Sequence, residues 1–141
     1  MTARTTIDRR ERDMLHAEVM LDFNGLNDIV VTIENDNWPE AQQLRQRFED
    51  DFRLLDDIGW SALDGREEFE ITMPAEQRKR LFRRFLEGVD GCLRDFSPTV
   101  SKDCPPEWIE EEMEIIEINR QAADRDLELR PICVALLEEE V

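Results

Sequence analysis

The chain has 141 residues, 40% of them hydrophobic with seven Phe and three Trp, and its 35 acidic against 18 basic side chains give a formal charge of −17. That length suits one domain over 1–141 burying roughly two thirds of its unfolded surface, and that apolar content offsets ordering entropy well enough to exclude a disordered chain. The charge disfavours direct contact with nucleic acid or an anionic membrane, which leaves a protein partner or a homo-oligomer of the chain itself.

The polar stretch 1–12 lacks the apolar centre of a signal peptide, and the longest apolar run, 132–137, is too short to span a bilayer. Cys92, Cys104 and Cys133 stand 12 and 29 residues apart, which fits neither a disulfide framework nor a paired zinc motif. They read as free thiols of a reducing compartment, so a cytoplasmic location is expected.

Leu15, Val19, Phe23, Leu26, Val30 and Ile33 recur at steps of four and three, which predicts a helix over 7–34. The β-branched run at 29–33 offers a rival strand. Asn37-Trp38-Pro39-Glu40 carries a cap residue, an early proline and a following acid, the signature of a second helix over 38–58 that Gly59 ends. A turn is expected at Asp64-Gly65. Glu68 to Thr72 then alternates polar and apolar side chains like a half-buried strand. Such a strand must pair with the 29–33 region, pair with its own copy across a dimer, or remain an extended connector.

Pro74 opens a third helix over 74–96, with Leu81, Phe82, Phe85, Leu86, Val89, Leu93 and Phe96 along one stripe. A polar linker leads to Pro105-Pro106 and an acidic C-terminal helical extension over 105–141, in which a helix at about 106–128 precedes a short fifth one starting at Pro131. Residues 101–141 carry 13 acids and 4 bases, half of the net charge. The expected fold is all-α, an antiparallel bundle of four to five helices around the core segments 7–34, 38–58 and 74–96, with one short extended segment near 67–72. The alternative is an α+β fold with strands at 28–33 and 67–72.

The run Arg47-Phe48-Glu49-Asp50-Asp51-Phe52-Arg53-Leu54-Leu55-Asp56-Asp57-Ile58-Gly59-Trp60, with Phe69-Glu70-Ile71-Thr72-Met73-Pro74 after it, resembles an uncharacterised group of small acidic bacterial proteins of actinobacterial type with no assigned activity. The resemblance covers roughly 35–90. It implies a helical bacterial cytoplasmic domain and no site residues.

Catalytic chemistry finds little support. His16 is the single histidine; Asp13-x-x-His16 resembles half of a di-iron pair but lacks the second pair and the two further acids. Ser61, Ser97 and Ser101 have no nucleophile-elbow context, and Gly88-x-x-Gly91 follows no strand, so it is not a phosphate loop. The expectation is a protein that is not an enzyme and carries no cofactor and no metal.

Two features rise above this background. Lys79, Arg80, Arg83 and Arg84, with Arg94 beyond, form a cationic face on the third helix, read either as an anion site or as partners for acids of the second helix such as Asp50, Asp51, Asp56 and Asp57. On the fourth helix Ile109, Met113, Ile116, Ala123 and Leu127 line one side, and Trp108, Ile115, Ile118 and Ala122 another; Trp108, Ile115, Ala122 and Leu129 recur every seven residues. Two stripes call for cover on two sides, by the fifth helix folding back or by the same helix of a second chain across a two-fold axis. A protein-protein interaction module, self-associating as a dimer through its C-terminal helices, is the expected function. An acidic DNA-mimicking inhibitor of a nucleic-acid-binding protein is the alternative.

Overall fold

A computed structural model describes residues 4–33 and 39–137. Among these residues four helices, α1 (Arg9–Ile33), α2 (Pro39–Ile58), α3 (Ala75–Asp95) and α4 (Ile109–Leu137), follow one another up and down. Strands β1 (Thr6–Asp8) and β2 (Glu68–Glu70) pair antiparallel, with Ile7 opposite Phe69. The architecture is the mainly helical bundle with a short β segment that the periodicities predict.

The partner of β2 is a correction to the expected pairings. Asp8 accepts the N–H of Glu11 at 2.8 Å, and the Glu11 carboxylate accepts the N–H of Asp8 at 3.1 Å. This reciprocal cap starts α1 at Arg9 rather than at residue 7 and leaves Thr6 and Ile7 free to extend. The backbone at 28–33, the rival strand, is helical and belongs to α1. Trp38, expected in the second helix, and residues 34 and 138–141 lie outside the described residues.

Gly59 ends α2 at a φ of +89°, its N–H donating to the Leu55 carbonyl at 2.8 Å. That left-handed conformation favours glycine, and a Cβ there would also force the Asp64 carboxylate to move. A turn at 61–64 precedes the expected one at Asp64-Gly65, which is closed by the Asp64 side chain. The Ser61 carbonyl accepts from Asp64 N–H at 3.2 Å and the Ser61 hydroxyl from Leu63 N–H at 3.0 Å, while Asp64 caps Arg66.

The C-terminal segment also departs from expectation. Pro131 lies inside α4, and among the described residues no fifth helix folds back. The ring is on the solvent side, and the carbonyl it deprives of a donor, that of Leu127, belongs to an exposed residue that water can satisfy. The helix therefore continues along α3 and buries Leu129, Ile132, Cys133 and Leu136.

The core is concentrated at one end of the bundle, where α1 and α3 start, α2 and α4 finish and the ribbon lies. Ile7, Leu15, Ile58, Phe69, Phe82 and Leu136 are fully enclosed there. At the other end only Leu26, Ala41 and Ala123 of the described apolar residues are buried. Arg12 organises the enclosed end. Its side chain has no exposure, yet its guanidinium donates to the carbonyls of Ile58 at 2.8 Å, Gly59 at 3.2 Å and Ser61 at 2.6 Å. It also lies 5.4 Å from the Phe69 ring. A cation at the C-terminus of α2 complements the helix dipole.

Arg12→Met keeps the volume and removes the donors, so three carbonyls lose their partner. We expect a loss of about 2–4 kcal/mol in unfolding free energy, read as a lower urea midpoint at unchanged slope.

Candidate functional site

The expected cationic face is exposed at Arg80 and Arg83 and half-buried at Lys79 and Arg84, but Arg80 and Arg84 are paired within the fold. Arg80 and Arg84 are one turn apart on α3 and face Asp50 and Asp51 of α2, both wholly buried. Arg80 donates to Asp50 at 2.7 and 2.8 Å, and Arg84 to Asp51 at 2.5 Å and to Asp22 of α1 at 3.2 Å. Arg47 closes the cluster on Asp22. Lys79 and Arg83 have partners as well. A hollow of about 500 Å³ beside the cluster is lined by Leu44, Arg47, Arg80 and Arg84, but each of these guanidiniums already holds a carboxylate. Little positive charge is left over for an external anion.

Asp51 Oδ2 meets no donor in the fold. Burial, reinforced by the adjacent Asp22, pushes Asp51 up to about 8, although Arg84 opposes this. Against the cost of its own burial, Asp22 is held below the usual carboxylate range by Arg47. One proton donated from Asp51 to Asp22 satisfies the orphaned oxygen and removes the like-charge clash.

The groups that could carry chemistry are kept apart. His16 donates through Nε2 to the Trp60 carbonyl at 2.8 Å, while Asp13 pairs with Arg9 and Arg12, so the Asp13-x-x-His16 spacing builds no joint site. Cys92 is raised by burial and by Asp126, to which its thiol donates, and Cys133 is pushed up to about 12 by burial. Both thiols stay protonated, the state that is neither nucleophile nor metal ligand. Among the described residues no group of three His, Cys, Asp or Glu side chains could hold a metal, and no helix is long and apolar enough to cross a membrane.

The first half of α4 is different. No residue from Ile109 to Ala122 is buried. Trp108, in the 3-10 turn Pro106–Trp108 ahead of the helix, is 55% exposed, Ile115 50% and Ile118 66%. Ala122 is half-buried, and Leu129, the last member of the seven-residue series, belongs to the core. Of the other stripe Ile116 and Ala123 turn towards α3, while Ile109, Met113 and Leu127 are exposed. Beside these side chains runs a groove of about 560 Å³, walled by Ile115, Ile116, Asn119 and Ala122 of α4 and by Cys92, Phe96 and Thr99 across from them. Trp108, Ile115 and Ile118 are thus exposed and Ala122 half-buried along the first half of α4 and the turn ahead of it, with Ile115 and Ala122 at the groove.

Comparison with protein-family models, with curated proteins and with solved structures finds no match. Site assignment rests on geometry. Reading the sequence missed the Asp22–Asp51 pair and the groove wall from α3, because neither leaves a mark within one segment; the only local hint was Arg80 and Arg84 four residues apart, the spacing of one helix face.

Asp51 gives this cluster a pH signature. Its folded pKa lies above the value of 3.8 for an ordinary aspartate, so the stability linked to its proton is complete below that value and is lost as pH rises towards about 8. Glu18 and Asp126, raised by burial, act in the same sense. We expect urea midpoints to fall across this interval, by at most about 1.4 kcal/mol per pH unit for Asp51. Asp51→Asn, which retains a donor towards Asp22, flattens the fall, and Asp51→Ala lowers stability at every pH.

Proposed function

We propose that this protein is a non-catalytic interaction module that docks a partner protein through the first half of α4 and the groove beside it. The observation that carries this reading is the uncovered apolar surface of Trp108, Ile115 and Ile118 on a helix whose other half is built into the core. Monomeric proteins rarely leave contiguous apolar patches uncovered unless something binds them. The separation of His16, the protonated thiols and the self-neutralised arginines supports a role without catalysis. Three free cysteines support a reducing, cytoplasmic setting.

A DNA mimic is favoured less. Its support is charge density alone, and the displayed glutamates of the first half of α4 are interspersed with the exposed apolar side chains Ile109, Met113, Ile115 and Ile118, which a phosphate mimic does not need.

Site-specific photo-crosslinking in the native host tests the docking surface. A photoreactive residue at position 115 or 118 should give adducts of defined mass. The same residue at 63, where Leu63 is 90% exposed on another part of the molecule, should give none. Equal adducts from 63, or none from 115 and 118, would refute the proposal.

A further inference from the structure

Resting on that docking surface, we infer that its occupant is a basic amphipathic helix of another protein, rather than a second copy of this chain. The shape calls for a helix. Ile115 and Ala122 stand seven residues apart on α4, the spacing at which a neighbouring helix keeps contact, and Trp108 is exposed in the 3-10 turn ahead of them. Ile118 widens the strip, and the groove of about 560 Å³ that Ile115, Ile116 and Ala122 help to wall runs beside it. An amphipathic helix laid in a groove, with anchors on successive turns, matches this combination.

Charge decides between occupants. Along residues 107–120 the surface carries Glu107, Glu110, Glu111, Glu112, Glu114 and Glu117 against Arg120 alone, and Asp95 stands on the groove's far wall. Arg120 is itself taken up by Glu117 at 3.7 Å. A second copy would bring an equal row of glutamates to the same strip, and like charges across an interface oppose association and select against that partner. A helix with apolar anchors flanked by lysine and arginine meets the strip with its anchors and the glutamate rim with its cations. Such a rim raises the association rate and makes it sensitive to salt, while the apolar anchors hold the complex once formed.

The test uses the full chain and two labelled helical peptides as long as the exposed strip. One is built of leucine and lysine on a seven-residue repeat, and its counterpart has glutamate in place of every lysine. Fluorescence anisotropy should show the lysine peptide binding, more weakly but still measurably at high salt, and the glutamate peptide not binding. The double variant Ile115→Ser/Ile118→Ser leaves the net charge unchanged and alters only exposed side chains. It should weaken the lysine peptide at least about tenfold, as expected when apolar anchors are removed, and Leu63→Ser should leave it as tight as the parent.

Three results would overturn the inference: equal binding of both peptides, binding of the lysine peptide that ignores Ile115→Ser/Ile118→Ser, or its failure to bind. A dimer in sedimentation that this double variant dissolves would overturn it too, in favour of a second copy. Crosslinks from position 118 that persist beside any of these results would leave the docking surface standing and reject only the basic occupant.

Discussion

Two aspartates of α2 cannot sit in the interior without guanidiniums from α3, and this requirement fixes how the two helical hairpins meet. Asp50 and Asp51 have no exposure, and a buried carboxyl group that loses its guanidinium loses the partner that offsets its desolvation. Arg80 and Arg84 meet them in one register only. Sliding α3 by one turn in one direction would set Arg84 against Asp50 and Gly88 against Asp51, leaving the second carboxylate alone. Sliding it the other way would set Glu76 against Asp50. Apolar side chains along the α3 stripe, from Leu81 to Val89, would tolerate a turn of slippage far better. The proton on Asp51 belongs to the same constraint, since Asp22 of α1 reaches the cluster and three carboxylates face the guanidiniums.

At the ribbon end, buried ionised groups do what water does elsewhere. Arg12 satisfies carbonyls at the end of α2, and Arg78 donates to the Leu136 carbonyl at 2.6 Å near the end of α4. Asp57 accepts the N–H groups of Thr72 at 2.8 Å and Met73 at 3.0 Å ahead of α3. Helix ends leave backbone groups without intrahelical partners, and burying four such ends together is possible only when side chains supply them. Burial depresses Arg78 below the usual arginine range, and one of its terminal nitrogens has no partner, so this device carries a cost. Nothing equivalent is present among the described residues at the opposite end, where the groove opens.

Much of the bundle was legible because period and punctuation agreed. The α3 stripe appears as a buried face from Leu81 to Val89, and Gly59 stops α2 for the reason its position suggested. The failures share a cause, a local signal outweighed by a less obvious one. Asp8 and Glu11 form a capping box that was overlooked, and it turned residues 6–8 from helix into the missing strand. Pro131 looked like a helix start, yet a proline whose own ring faces water costs one hydrogen bond and no packing. On α2 the rings of Phe48 and Phe52 join Phe23 and Trp60 in an outer aromatic cluster while Asp50 and Asp51 go inside. No property of Asp51 itself announces burial. It depends on arginines more than 25 residues away in sequence. The exposed strip on α4 was legible as a pattern, whereas its lack of cover depended on where the chain after Pro131 goes.

That strip persists as helix without a core to rest on, and the reason is local. Pro106 leads into the turn before α4, and Glu110, Glu111 and Glu112 occupy the first turn, where negative charge complements the helix dipole. Glu117 and Arg120 add a pair at i, i+3. The opposite end of the helix is anchored by Leu129, Ile132 and Leu136, so each further turn towards the N-terminus extends an existing helix and avoids the cost of nucleation. At 1.5 Å per residue α4 is about 43 Å long against about 31 Å for α3, and the excess extends past the end of its neighbour. The same glutamates that stabilise this overhang through the dipole also ring its apolar residues. On the proposed reading, helix stability and partner selection draw on one set of side chains, and a docking surface that is already helical would spare a complex the ordering entropy that a flexible segment loses on binding.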